Sequence, residues 1–318
     1  MENSALVYRQ FGEPASVLQA ETARKGPLMP GNLRVQMLCA PVNASDLIPI
    51  TGAYRHRVIL PGVAGYEGVG RVIAAPQAFQ SLVGKRVLPL RGEGTWQQVV
   101  DCPAELAVPV PDEIETWLAA RAFINPLAAQ LMLRLCPPEG KRVLLTAAGS
   151  DCAILLGQWA RQMGATAVWG IHRSPAHAAR LAAMGITPLA QQETAAILSV
   201  AAQCDIVYDA TGGALAQALL EAMPQAGEFI SYGLLSGQPF TLARHYPPVR
   251  WFHIRNTFSA CDPQRWQAEF RALWPRLLSS HYSESVPLPF NAWREALQHY
   301  YQPGRVGKPV LQMAQEEA

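Results

Sequence analysis

The chain has 318 residues, half of them apolar and only 16% charged, and reads as a soluble, globular protein with enough apolar side chains for two domains. Against 24 Asp and Glu stand 26 Lys and Arg, a net charge of +2 that is too balanced for a protein holding nucleic acid by bulk electrostatics. The opening MENSALVYRQFGEP has an acidic residue at once and no apolar core, and no 18-residue apolar run follows, so neither a secretory signal nor a membrane span is expected and the chain is placed in the cytoplasm.

From residue 1 to about 121 the sequence holds short β-like runs broken by Gly and Pro: RVQMLCAPV (34–42), GVGRVIAA (68–75) and GKRVLPL (84–90). That texture suits an irregular, mostly antiparallel domain. From about 122 it changes to apolar strands separated by helical patterns: RVLLTAA (142–148), TAVWGIHR (166–173), DIVYDAT (205–211), GEFISYG (227–233) and NTFSA (256–260). Such alternation argues for an α/β fold with a parallel sheet covered on both faces. Residues 263–318 return to helical texture and close with the strand-like GKPVLQM. The six cysteines, Cys39, Cys102, Cys136, Cys152, Cys204 and Cys261, form no C-x-x-C and no cysteine-histidine cluster, so buried thiols and no metal are expected.

The stretch TAAGSDCAILLGQWARQMGATAVWGIHRS (146–174) runs strand, small-residue turn, amphipathic helix, strand. That order is the context in which a G-x-G-x-x-G loop binds a dinucleotide, yet Gly149 is the loop's only glycine. Ala148, Ser150 and Ala153 are small enough for close approach, whereas Asp151 stands where the helix should begin. Its carboxylate is suited to capping the helix and would repel a phosphate at the same end. Within the helix, Leu156, Trp159, Ala160 and Met163 make one face for packing on the sheet. At the end of the second strand come His172, Arg173 and Ser174 rather than an acid, a set suited to the 2′-phosphate of NADPH.

Several separated stretches then carry a resemblance: VNASDLIPITGAY (42–54), LPGVAGYEGVGRVI (60–73), GTWQQVV (94–100), INPLAAQLML (124–133), the loop above, ISYGLLSGQPF (230–240) and GKPVL (307–311). In this order they resemble the zinc-independent medium-chain dehydrogenase/reductases, and within them the enoyl-thioester reductases and quinone oxidoreductases. The resemblance implies a GroES-like, mostly β catalytic domain from residues 1–121 and 263–318, a Rossmann domain from 122–262, and an active site in the cleft between them. Zinc-dependent relatives place a Cys and a His where this chain has Ser45 and Tyr66, so a metal-free enzyme is implied.

By the same resemblance Tyr54 stands at the family's catalytic tyrosine, a phenol able to donate a hydrogen bond to a thioester carbonyl or deliver a proton. Asn125, the loop Gly149 to Cys152, the turn Tyr232, Gly233, Leu234 and Leu235, the run Thr257, Phe258 and Ser259, and Lys308 match cofactor contacts. Glu67 matches a glutamate with a structural role, and Ala128, Asp151 and Ala153 depart from the family's residues. The cations Arg55 and Arg57 beside Tyr54 suit the phosphates of coenzyme A or a carrier-bound pantetheine. The expectation is an NADPH-dependent reductase of a small-molecule or carrier-linked acyl substrate, with quinone reduction or a non-catalytic binding role as alternatives. A homodimer through the edge strand NTFSA is also expected.

Overall fold

In the sequence NLRVQMLCAP the apolar residues alternate, and Leu33, Val35 and Met37 are fully buried along the strand Asn32–Pro41. The computed structural model describes residues 1–53, 55–258 and 262–313. In chain order the strands are β1 (Glu2–Tyr8), β2 (Leu18–Arg24), β3 (Asn32–Pro41), β4 (Gly62–Val63), β5 (Val69–Ala74), β6 (Arg86–Leu88), β7 (Val99–Pro103) and β8 (Val108–Pro109). Then follow β9 (Arg142–Leu145), β10 (Ala167–His172), β11 (Thr187–Ala190), β12 (Ile206–Asp209), β13 (Glu228–Ser231), β14 (Val249–Trp251), β15 (Ser285–Pro289) and β16 (Lys308–Gln312). The chain divides into one unit of Met1–Ile124, Cys261–Leu278 and Glu284–Ala318, and another of Asn125–Ala260 and Ser279–Ser283.

In the first unit β2, β1 and β4 form a small antiparallel sheet, and a seven-stranded sheet runs β15-β16-β3-β5-β6-β8 with β7 also paired to β3. Its core gathers Leu33, Val35, Met37, Val72, Val87 and Trp96, whose indole N–H donates to the Pro41 carbonyl at 3.1 Å. Trp293, Ala296 and Leu297 recur at helical spacing on Trp293–Tyr301 and join the same core.

In the second unit six parallel strands lie in the order β11-β10-β9-β12-β13-β14. Counted from β9 this is 3-2-1-4-5-6, the doubly wound arrangement whose ligand crevice opens where the order reverses, at the carboxyl ends of β9 and β12. Leu156, Trp159 and Ala160 of the helix Asp151–Gln162 are fully buried, as their spacing predicts. The strand β11 is not evident in the sequence because it contains Pro188, which an edge strand tolerates.

The last edge strand differs from expectation. Residues 254–257, within and just before NTFSA, form a short helix, Ile254–Thr257, whose cap His253 accepts the Arg255 N–H at Nδ1 at 3.3 Å. The sheet edge belongs instead to β14, whose Val249 pairs with Phe229, and the Pro248 carbonyl just ahead of it accepts the Phe229 N–H at 3.2 Å. Ser259 and Ala260 lie outside the described residues.

Candidate active site

The phosphate loop is built by the backbone more than by glycine. Ala147 takes φ 47°, a left-handed conformation, and its carbonyl accepts the Ser150 N–H at 2.9 Å. The Ala148 N–H donates to Ile171 at 2.9 Å, which ties the loop to β10. Ser150, not Asp151, caps the following helix: its oxygen accepts the Ala153 N–H at 3.4 Å. Asp151 occupies the first helical turn, where its buried carboxylate accepts a hydrogen bond from the Ser283 hydroxyl. The acid therefore has a donor of its own in this unit.

Around that loop the structure brings together several expected contacts. Cys152 donates from Sγ to the Asn125 carbonyl at 3.7 Å. The Tyr232 hydroxyl is buried beside Ser150 and Cys152, and burial pushes its phenol well above the usual range, with Cys152 adding to the effect. Gly233 is required by its surroundings, since a Cβ there would stand 2.8 Å from the Ala210 carbonyl oxygen. Leu234 and Leu235 are exposed. His172 is buried, Arg173 is exposed, and Ser174 caps the turn Pro175–His177. Thr257 ends the short helix, and Phe258 is buried as a packing residue.

Asp209, at the carboxyl end of β12, is a site residue that sequence reasoning missed. Fully buried, it accepts the Thr146 hydroxyl at 2.7 Å and the N–H groups of Thr211 and Gly212 at 3.0 and 2.9 Å. Burial raises its pKa, against the pull of those three donors. It fixes the turn at the point where the strand order reverses, and an Asp at the end of an apolar strand was the available signal.

The unit fits a dinucleotide in its strand order and in two buried polar atoms, His172 Nδ1 and Tyr232 Oη, that have no hydrogen-bond partner. Asn125, Ser150, Tyr232 and Arg173 are the residues of this unit that the resemblance matches to the cofactor.

In the first unit a buried polar cluster stands beside Ser45 and Tyr66. Asp46 accepts the N–H groups of Asn43 at 2.7 Å and Tyr66 at 2.8 Å. Glu67 accepts the Asn43 amide at 2.7 Å and the N–H groups of Phe123 and Ile124 at 3.0 and 2.7 Å, fixing the backbone just ahead of Asn125. Lys308, matched above to a cofactor contact, donates to Asn43 Oδ1 at 2.8 Å and is buried in this cluster. Burial, and then the neighbouring Glu67, push Asp46 up to about 7; Glu67 is raised by burial too. Arg55, His56 and Arg57 form an exposed turn, with the Arg55 guanidinium 5.8 Å from the Phe11 ring centre. Tyr54 lies outside the described residues. Among the described residues no group of three or more His, Cys, Asp or Glu is placed to hold a metal ion. Buried Cys102, Cys136 and Cys204 have thiols pushed up to about 12, 11 and 12 by burial.

Comparison with known proteins agrees with this architecture. Residues 29–112 match the alcohol dehydrogenase GroES-like domain. The mitochondrial enoyl-[acyl-carrier-protein] reductase of Rattus norvegicus is 31% identical over 252 residues, covering 74% of this chain and 67% of that protein. Its Homo sapiens counterpart is 30% identical over 250 residues, covering 74% and 66%. The chain thus spans about two thirds of the length of these relatives. Among solved structures, a Bacillus thuringiensis protein described as a candidate NADPH:quinone reductase superposes with a TM-score of 0.90 at 31% identity, over 98% of this chain and 99% of that one. A mutant enoyl thioester reductase from Candida tropicalis, at 17% identity and a TM-score of 0.78 over 98% and 100%, shares the fold.

Proposed function

The chain belongs to the zinc-independent medium-chain dehydrogenase/reductases, and from that premise we propose that it is an NADPH-dependent reductase of an activated carbon–carbon double bond, with a 2-enoyl thioester as substrate. In this reading the first unit is the catalytic domain and the second the cofactor domain. When bound, NADPH supplies the hydride that reaches the β-carbon of the enoyl group. The chain's own part is to hold the substrate carbonyl and manage a proton. Tyr54 donates a hydrogen bond to that carbonyl or a proton to the α-carbon, and a phenol's ordinary pKa near 10 keeps it a donor at neutral pH. Asp46 keeps the backbone at Tyr66 fixed and Glu67 that at Ile124, while Asn43 and Lys308 brace the two acids.

The observation that favours a thioester is the exposed turn Arg55–Arg57, directly after Tyr54 in the chain. Neither arginine forms an ion pair among the described residues, so both are available to a phosphate-bearing arm. A quinone substrate is the second reading, supported by the 31% identity to the Bacillus thuringiensis protein. Turnover of crotonyl-type enoyl thioesters against simple quinones, both with NADPH, tests the choice. The thioesters are expected to react faster, and Tyr54→Phe to depress kcat while NADPH affinity stays nearly unchanged. Faster quinone turnover that Tyr54→Phe leaves intact sinks the thioester reading. We also place the chain in the cytoplasm as a homodimer; its curated relatives are named as mitochondrial, and no helix among the described residues is long and apolar enough to cross a membrane.

A further inference from the structure

We propose that His177 selects the cofactor, its imidazole contacting the 2′-phosphate of NADPH from a position against the phosphate loop. The inference rests on the dinucleotide reading above and assigns a residue that neither the loop motif nor the strand-end residues point to. Ring atoms Cδ2 and Nε2 of His177 lie 2.7 Å from where a side chain on residue 149 would have its Cβ. The ring therefore stands between the loop after β9 and the turn after β10, the two segments that embrace the adenine ribose in a sheet of this order. Any residue but glycine at 149 would displace it.

Ser174, matched to the cofactor as well, accepts the Ala176 N–H at 3.4 Å. That bond caps the turn Pro175–His177 and sets where His177 leaves the backbone. The ionisable groups on the surrounding elements are His172 and Arg173 at the end of β10, Arg180 on the helix Ala178–Ala183, Asp151 after the loop and Glu193 beyond β11. Asp151 accepts the Ser283 hydroxyl and Glu193 the Ala190 N–H at 3.0 Å, neutral donors that leave the two carboxylates to offset Arg173 and Arg180. A protonated His177 is then the group that tips the strand end toward a dianion.

An imidazole differs from a guanidinium in carrying charge only when protonated, and its ordinary pKa lies near 6.5. Selection through His177 is thus linked to protons, whereas selection through Arg173 is not. The test is titration of NADPH and NADH into the wild type, His177→Gln and His177→Lys at about pH 6 and about pH 8.5, on either side of the imidazole range. His177→Gln is expected to weaken NADPH about tenfold at the lower pH and little at the higher, with NADH unchanged at both. His177→Lys, a permanent cation, should hold NADPH tightly at both. The 2′-phosphate has its own second ionisation near pH 6, and His177→Lys reads that part alone. A ratio that ignores pH, or an equal loss for NADH, overturns the inference while the dinucleotide reading stands. A wild type that binds neither dinucleotide overturns both.

Discussion

At Ala147 the chain holds an L-residue at φ 47°, where a Cβ costs about 1–2 kcal/mol and glycine costs nothing. Ala147→Gly is therefore expected to stabilise the fold by about 0.5–1 kcal/mol after the added freedom of the unfolded chain is discounted, read from a denaturant midpoint. A lower midpoint would show that the loop is unstrained. Asp46 makes a second test, through pH. Its carboxyl is raised to about 7 in the fold from 3.8 in a free chain, so between those values the folded state keeps a proton that the unfolded state releases. That contribution to stability is complete below about 4 and is lost as pH rises through about 7. Asp46→Asn, which cannot lose a proton and keeps only one of the two N–H acceptors, should cost more at pH 5 than at pH 8, the gap narrowing by at least about 1 kcal/mol in urea unfolding. A gap that widens would reverse the assignment. At this scale the sequence displayed Ser150, Arg173 and Tyr232 by position in a recognisable stretch. It concealed the Thr146 hydroxyl at Asp209 and the place of His177 against Gly149, contacts made only by folding.

Among the elements, β14 is the one whose misplacement mattered. Strands were legible where apolar runs were long and bounded by Gly or Pro, as at β9, β10, β12 and β13. The three residues of β14 carry no such run, and NTFSA, which does look apolar, loses residues 256 and 257 to a helix because the sheet edge is already filled. The consequence is a different edge for the proposed dimer. Among the described residues β14 pairs only with β13, and Trp251 upon it is 61% exposed, stacked on Phe240 at 5.2 Å. An open edge bearing a large exposed aromatic invites pairing with a second copy. Sedimentation at micromolar concentration is expected to show a dimer for the wild type and a monomer for Trp251→Lys. A monomeric wild type, or a variant that stays dimeric, rejects this edge as the interface.

For the whole molecule, the sequence by itself determined the class and order of the units: period-two apolar runs broken by Gly and Pro in one, strands alternating with amphipathic helices in the other, and a set of stretches matching one family. These are local properties, set by side-chain periodicity and backbone preference, and they are present in the chain before it folds. The tertiary structure decided which groups meet. Asp151 was legible as an acid at the helix start, and folding gives it a donor, Ser283, from 132 residues away. Lys308 matched a cofactor contact, and folding buries it against Asn43, 265 residues away, beside two acids that burial pushes up and its charge pulls back down. The physical reason is that the cost of burying a charge depends on the donors and opposite charges that surround it, and those are assembled from distant parts of the chain only when it folds.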